Sequence, residues 1–210
     1  TGSEGAIVEE RIKEKIKNAN IRMVGPNCMG AINTLSNIML NATFVAERPE
    51  TGKTAFASQS GALGAAVLNS LRLTDIKFTH FTSVGNKADI NENDLLDYWM
   101  TDNNIETIAL YLESFEDGFG FINRAINNKF TKPIITLKAG KTSSGSKAAS
   151  SHTGALNSSD KIVNSILNQF GIIRVDNLND LFNTAKGFEN FPLPKRNKVA
   201  VLTNAGGPAI

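Results

Sequence analysis

The chain has 210 residues, of which 41% are hydrophobic and 20% charged, with a formal net charge of +2; this length can bury a sizeable core and sits between one domain and two. Scattered lysines and near-balanced charge exclude the basic stripe of a nucleic-acid-binding face, while leaving room for local anion sites. The single cysteine, Cys28, excludes an internal disulfide or a multi-thiolate metal centre, so no metal ligands are assigned.

In chain order, residues 4–17 have the pattern of a charged amphipathic helix, followed by an apolar stretch at 21–24 and the run GPNCMG. From residue 53, strand-like and helix-like segments alternate with turn residues between them, the signature of βαβ units. KTAFAS at 53–58 reads as a short strand, and ALGAAVLNSLRL after it carries apolar residues at helical spacing. Residues 78–84 predict a second strand with a helix around 93–100. TIALYLE at 107–113 predicts a third, with a helix over 118–127 that carries Phe119, Ile122 and Ile126. PIITLKA at 133–139 is the fourth. A loop of Gly, Ser, Lys and Ala then leads to a helix near 160–170, with Ile162, Val163, Ile166 and Leu167 on one face. Residues 172–175 and 178–188 make a fifth pair, and after the linker FPLPKRN residues 198–202 predict a new strand.

Five strand–helix pairs in about 140 residues predict a doubly wound, flavodoxin-like α/β domain with a parallel sheet of five strands. The domain is expected over residues 46–192, with 1–45 and 193–210 belonging to neighbouring domains, so that the sequence is a fragment of something longer. No apolar run approaches the roughly 18 residues of a membrane span, and TGSEGAIVEE has neither the basic start nor the apolar stretch of a signal peptide. A cytoplasmic location is the default expectation.

Ligands of an open parallel sheet bind outside the carboxyl ends of its strands. The residues there are Ser58-Gln59-Ser60-Gly61, Ser83-Val84-Gly85-Asn86, Glu113-Ser114 and Lys138-Ala139-Gly140, the last leading into the Ser-rich loop that holds His152. Ser60-Gly61 at a helix start exposes backbone N–H groups at the positive end of the helix dipole, a ready anion site. Ser151-His152-Thr153-Gly154 has the same character. Each feature also has a plainer reading: a helix cap, a flexible connector, a loop histidine, a carboxylate where a strand emerges into water. His80, inside a predicted strand, is structural. Together, however, a histidine, a carboxylate and two helix starts on one edge are the parts a covalent phosphoryl relay requires. Neutral imidazole is a good nucleophile near neutral pH, and a carboxylate on its other ring nitrogen would fix the tautomer and stabilise developing charge. Glu113 can take that role, with helix-terminal N–H groups holding the phosphate.

The runs GPNCMGAIN, ASQSGALGAAVLNSL, SVGNKADINENDLLDY, LYLESFEDG, KPIITLKAGKTSSGSKAASSHTGAL and VLTNAGGPAI resemble NDP-forming acyl-CoA synthetases, a family similar to succinyl-CoA synthetase, over essentially the whole chain. SSHTGAL after a KxG loop is the specific part. The resemblance implies a ligase that interconverts acid, coenzyme A and ATP or GTP with acyl-CoA, NDP and phosphate through an acyl phosphate and a phosphohistidine. It implies His152 as that histidine with Glu113 as its partner carboxylate. It further implies Ser60, Gly61, Ala62 and Gly154 at the phosphate, and Asn27 and Cys28 toward the thiol end of coenzyme A. By the same resemblance, 1–45 is the last part of a Rossmann-like CoA-binding domain and 193–210 the start of a second flavodoxin-like domain. The nucleotide and Mg²⁺ belong to an ATP-grasp domain or subunit, fused or separate, in a protein that is an oligomer when intact. The fragment alone is then expected to be inactive.

Three other readings stay open. An FMN-binding flavodoxin also uses a Ser/Gly-rich turn after its first strand, but needs aromatic loops, and Trp99, Tyr98 and Tyr111 fall in a predicted helix or strand. A phosphorylation receiver needs acidic residues after that strand, where SQSG has none. A regulatory, non-catalytic copy within a protein acyltransferase would fit the domains, and retention of His152 and Glu113 argues against it.

Overall fold

The computed structural model describes residues 3–128, 131–141, 160–204 and 206. Helix α1 (Ser3–Asn18) precedes a hairpin of β1 (Gly30–Asn33) and β2 (Leu40–Thr43). Then follow β3 (Thr54–Ser58), α2 (Gly61–Asn69), α3 (Leu71–Thr74), β4 (His80–Ser83), α4 (Glu92–Thr101), β5 (Thr107–Leu112) and α5 (Gly118–Asn127). The described chain closes with β6 (Ile134–Lys138), α6 (Asp160–Gln169), β7 (Ile173–Val175) and α7 (Leu178–Asn190).

The strands form one sheet in the order β2-β1-β4-β3-β5-β6-β7. Neighbours from β4 to β7 run parallel, giving the doubly wound arrangement expected. The count differs: the sheet has seven strands rather than five, because β1 pairs antiparallel with β4 and β2 antiparallel with β1. Residues 30–43, grouped by the sequence with the preceding segment, thus hydrogen-bond to the sheet edge. Their period-2 pattern is too short to stand out, with Ile32 alone among the four residues of β1 buried. Residues 198–202 form no strand; Val199, Val201 and Leu202 are exposed, and a β-branched run without a neighbouring strand has no ladder to join.

The central strands are buried on both faces, as a parallel sheet covered by helices requires; every residue of β3 is buried. Side chains along β5 alternate between two cores with the period of two that a strand imposes. Ile108, Leu110 and Leu112 join Leu96 and Trp99 of α4, Phe121 of α5 and Leu167 of α6. Ala109 and Tyr111 face Val67 and Leu68 of α2 and Leu181 and Phe182 of α7. The second core is organised by Phe56, Phe78, Phe81 and Phe182, with ring centroids 5.3–6.2 Å apart. No helix among the described residues is long and apolar enough to cross a membrane.

His80 is buried in β4, away from the carboxyl edge. The Trp99 indole Nε1–H donates to its Nδ1 at 3.0 Å, which keeps that nitrogen unprotonated. Burial lowers its pKa below the ordinary value, opposed in part by Asp102, 3.9 Å from Nε2. A proton on His80 is therefore disfavoured in the fold, and as pH falls below about 6.5 the unfolded chain gains protons first. The resulting stability is present above that pH and is lost as pH drops toward the lowered folded value. The urea midpoint of the wild type is expected to fall between pH 7.5 and 5.5 more than that of His80→Gln; equal slopes would show that this histidine does not titrate differently in the two states.

Candidate functional site at the carboxyl edge of the sheet

The crossovers from β3 and from β5 leave the sheet in opposite directions, so a crevice opens between their carboxyl ends, the switch point at which doubly wound sheets bind ligands. On the β3 side, Ser60 caps α2, its Oγ accepting from the Leu63 N–H at 3.3 Å. The geometry of a helix start leaves the N–H groups of Gly61 and Ala62 without intrahelical acceptors, and Ala62 is exposed. Ser58 donates to the Ser60 carbonyl at 2.7 Å, which tightens the turn.

The turn carrying Asn27 and Cys28 lies against this helix start. A Cβ on Gly61 would stand 3.6 Å from the Met29 nitrogen and 3.8 Å from the Cys28 carbonyl carbon, and the Met29 N–H donates to Ser83 Oγ at 3.1 Å. The loop after β4 holds the same turn from its other side. Asn86 and Ala88 N–H groups donate to the Pro26 and Gly25 carbonyls, both at 2.9 Å, and Asn27 Nδ2 donates to Asn86 Oδ1 at 3.3 Å. Gly85 has φ +55°, and a Cβ there would lie 2.2 Å from the Pro26 oxygen, so this close approach requires glycine. Asn27 is exposed and Cys28 half-buried.

On the β5 side, Glu113 is half-buried and its main chain is fixed at both ends. Its N–H donates to Gln59 Oε1 at 2.9 Å, and its carbonyl accepts from Lys138 Nζ at 2.7 Å. Burial lowers the pKa of Lys138, with Arg174 adding to the effect. Tyr111, one turn of the pleat back along β5, has its phenol pushed up by burial and by the Glu113 carboxylate. Glu113, Ser114 and Lys138 also form the polar end of a cleft of about 480 Å³ between α5 and α6, whose walls include Phe115, Ile122 and Val163.

Ser60, Gly61, Ala62, Asn27, Cys28 and Glu113 thus stand on one edge of one sheet. His152 and Gly154 lie outside the described residues. Sequence reasoning named Gln59 and Lys138 among the strand-end residues without giving either a role, and quoted Lys87 and Glu92 only within the run SVGNKADINENDLLDY. Lys138 sits directly after a predicted strand, which is a usable signal. Lys87 and Glu92 are five residues apart on a loop and a helix start, a spacing that no period picks out.

A doubly wound, mostly parallel sheet with a capped helix start and a docked Gly-Pro-Asn turn at its switch point defines a flavodoxin-like α/β domain. Residues 51–188 match the succinyl-CoA ligase-like flavodoxin domain, and the chain belongs to that family. It is 44% identical over 210 residues to the acetate–CoA ligase [ADP-forming] II subunit alpha of Pyrococcus furiosus, covering 100% of this chain and 45% of that protein. It is 42% identical over 209 residues to the 4-hydroxybutyrate–CoA ligase [ADP-forming] of Nitrosopumilus maritimus, covering 99% of this chain and 30% of that protein. The structure of the dinucleotide-forming acetyl-coenzyme A synthetase 1 of Ca. Korarchaeum cryptofilum, in complex with phosphate and ADP, superposes with a TM-score of 0.87 at 38% identity. That match covers 95% of this chain and 43% of the synthetase. The chain spans less than half the length of each of these proteins.

Proposed function

We propose that this chain is the phosphohistidine-bearing part of an NDP-forming acyl-CoA synthetase, with His152 as the residue that carries the phosphoryl group and Glu113 as the carboxylate that orients it. The observation that carries the reading is the switch-point crevice, where the α2 start, Glu113 and the Asn27–Cys28 turn converge on one edge. In the proposed sequence, an imidazole nitrogen attacks the γ-phosphorus of the nucleotide and displaces NDP. A carboxylate oxygen of the acid then takes the phosphoryl group to give an acyl phosphate, returning the imidazole. The coenzyme A sulfur attacks the acyl carbon, expelling phosphate and forming the thioester.

The N–H groups of Gly61 and Ala62, with those near Gly154, would hold the transferred phosphate, where the helix dipole favours negative charge. Asn27 and Cys28 would stand toward the thiol end of coenzyme A, docked beside that helix start. The ADP-forming names of the reported relatives support ATP over GTP, and their acetate and 4-hydroxybutyrate substrates support a short aliphatic acid. Binding of Mg²⁺-nucleotide would fall to an ATP-grasp domain or subunit, within an oligomer. The greater length of those relatives supports further domains beyond this chain.

The test uses the intact protein with its nucleotide-binding part. Incubation with Mg²⁺ and γ-labelled ATP is expected to give an acid-labile, base-stable protein label that acid plus coenzyme A discharges and that His152→Ala abolishes. Absence of label with both ATP and GTP, or label that survives His152→Ala, would overturn the reading.

A further inference from the structure

We infer that Gln59, Lys87 and Glu92 are positioning residues for Glu113: they clamp the turn after β5 against the turns after β3 and β4 and so set where its carboxylate stands. The inference rests on the proposed role of Glu113 and assigns the side chains that place it.

Three buried side chains hydrogen-bond to the turn, two of them accepting from its N–H groups. Gln59 Oε1 accepts from the Glu113 N–H at 2.9 Å and the Ser114 N–H at 3.0 Å, while its Nε2 donates to Ser114 Oγ at 3.1 Å. Lys87 Nζ donates to the Ser114 carbonyl at 2.9 Å. Glu92 Oε1 accepts from the Glu116 N–H at 2.6 Å. Lys87 and Glu92 pair with each other at 2.9 Å, their side chains 2% and 0% exposed. The amide of Gln59 therefore spans the switch-point crevice, and the ion pair holds the Ser114 carbonyl and the Glu116 N–H of the same turn.

Stability alone does not account for this choice of residues. A buried ion pair is often matched or bettered by apolar side chains of similar volume, because desolvation offsets the attraction. Lys87 also sits at φ +57°, a left-handed conformation that costs a residue with a Cβ. What charged and amide groups provide is direction: each main-chain group of the turn meets a partner at a fixed angle and distance. The loop that supplies Lys87 also holds the Asn27–Cys28 turn through Asn86 and Ala88. One segment thus ties the proposed coenzyme A end of the site to the proposed histidine partner.

A kinetic double-mutant cycle on the intact protein tests the assignment. Gln59→Leu is expected to slow labelling of His152 by γ-labelled ATP by between about 10- and 100-fold, the scale of a misplaced catalytic group, with the KM for ATP little changed. Gln59→Glu, which still accepts the two N–H groups, is expected to recover most of that rate. In a Glu113→Gln background, Gln59→Leu is expected to change the rate by less than about twofold, as coupled sites require, while its loss in melting temperature is the same in both backgrounds. The paired change Lys87→Met/Glu92→Leu keeps the interior neutral, is expected to repeat the pattern, and supplies the cycle should Gln59→Leu fail to fold. Rate losses of equal factor in both backgrounds would overturn the positioning role while leaving the phosphohistidine reading intact. A wild-type protein that takes no label on His152 would overturn both.

Discussion

Glu113→Gln is expected to slow phosphoryl transfer to the histidine by about 100- to 10,000-fold, the range lost when a group that orients or relays protons for a catalytic imidazole is neutralised. Glutamine matches the carboxylate in size, and the main-chain contacts of this residue, its N–H to Gln59 Oε1 and its carbonyl from Lys138 Nζ, do not depend on the side-chain charge. The substitution therefore removes charge without removing the turn. What it takes away is an acceptor that holds the imidazole N–H and stabilises the positive charge that develops as the other nitrogen is phosphorylated. Rapid-quench measurement of label on His152 within one turnover reports this step directly. Glu113→Asp, which keeps the charge but shortens the reach, is expected to fall between wild type and Glu113→Gln. An unchanged single-turnover rate in Glu113→Gln would remove Glu113 from the relay.

The parts of the fold that the sequence made legible are those where burial imposes a period. β3, β5 and β6 are buried nearly throughout because helices cover both faces of the sheet, and α5 spans the residues its spacing predicts. The hairpin β1–β2 was not legible. Each of its strands has four residues, and β2 lies at the sheet edge with Leu40 and Ala42 facing solvent, so no face is fully apolar. Residues 198–202 show the converse: the composition of a strand without a neighbour to pair with among the described residues.

The site divides along the same line. Ser60, Gly61 and Glu113 could be found because strand ends and helix starts are positions that local sequence marks, and topology then decides that they meet. The side chains that fix them could not. Gln59 makes its contacts to residues more than fifty positions away, and Lys87 joins Glu92 to Ser114 across two loops. Such contacts exist only once β3, β4 and β5 are side by side, and no local pattern encodes them. Gly85 is intermediate: a glycine after a strand suggests a turn, while the reason for it, the Pro26 oxygen within reach of any Cβ, lies 59 residues earlier in the chain.

The same network carries the largest expected change in stability. Lys87→Met removes the cation from a pair whose side chains are 2% and 0% exposed, and leaves the Glu92 carboxylate buried with the Glu116 N–H still donating to it. Breaking a buried pair in this way costs about 3–5 kcal/mol, more than the pair contributes, because the surviving charge must be kept out of water or neutralised. Methionine matches the length of the lysine stem, so lost packing is a minor part of the effect. The added change Glu92→Leu is expected to recover most of the loss at pH 7.5 by removing the stranded charge. Urea denaturation of the wild type, Lys87→Met and Lys87→Met/Glu92→Leu at pH 7.5 separates the two sources of destabilisation. If the single variant is as stable as the wild type, water reaches Glu92 and the pair is not sealed. If the single and the double lie equally far below the wild type, the Ser114 carbonyl that lost Lys87 Nζ accounts for the cost, and the pair matters for holding the turn rather than for neutralising a charge.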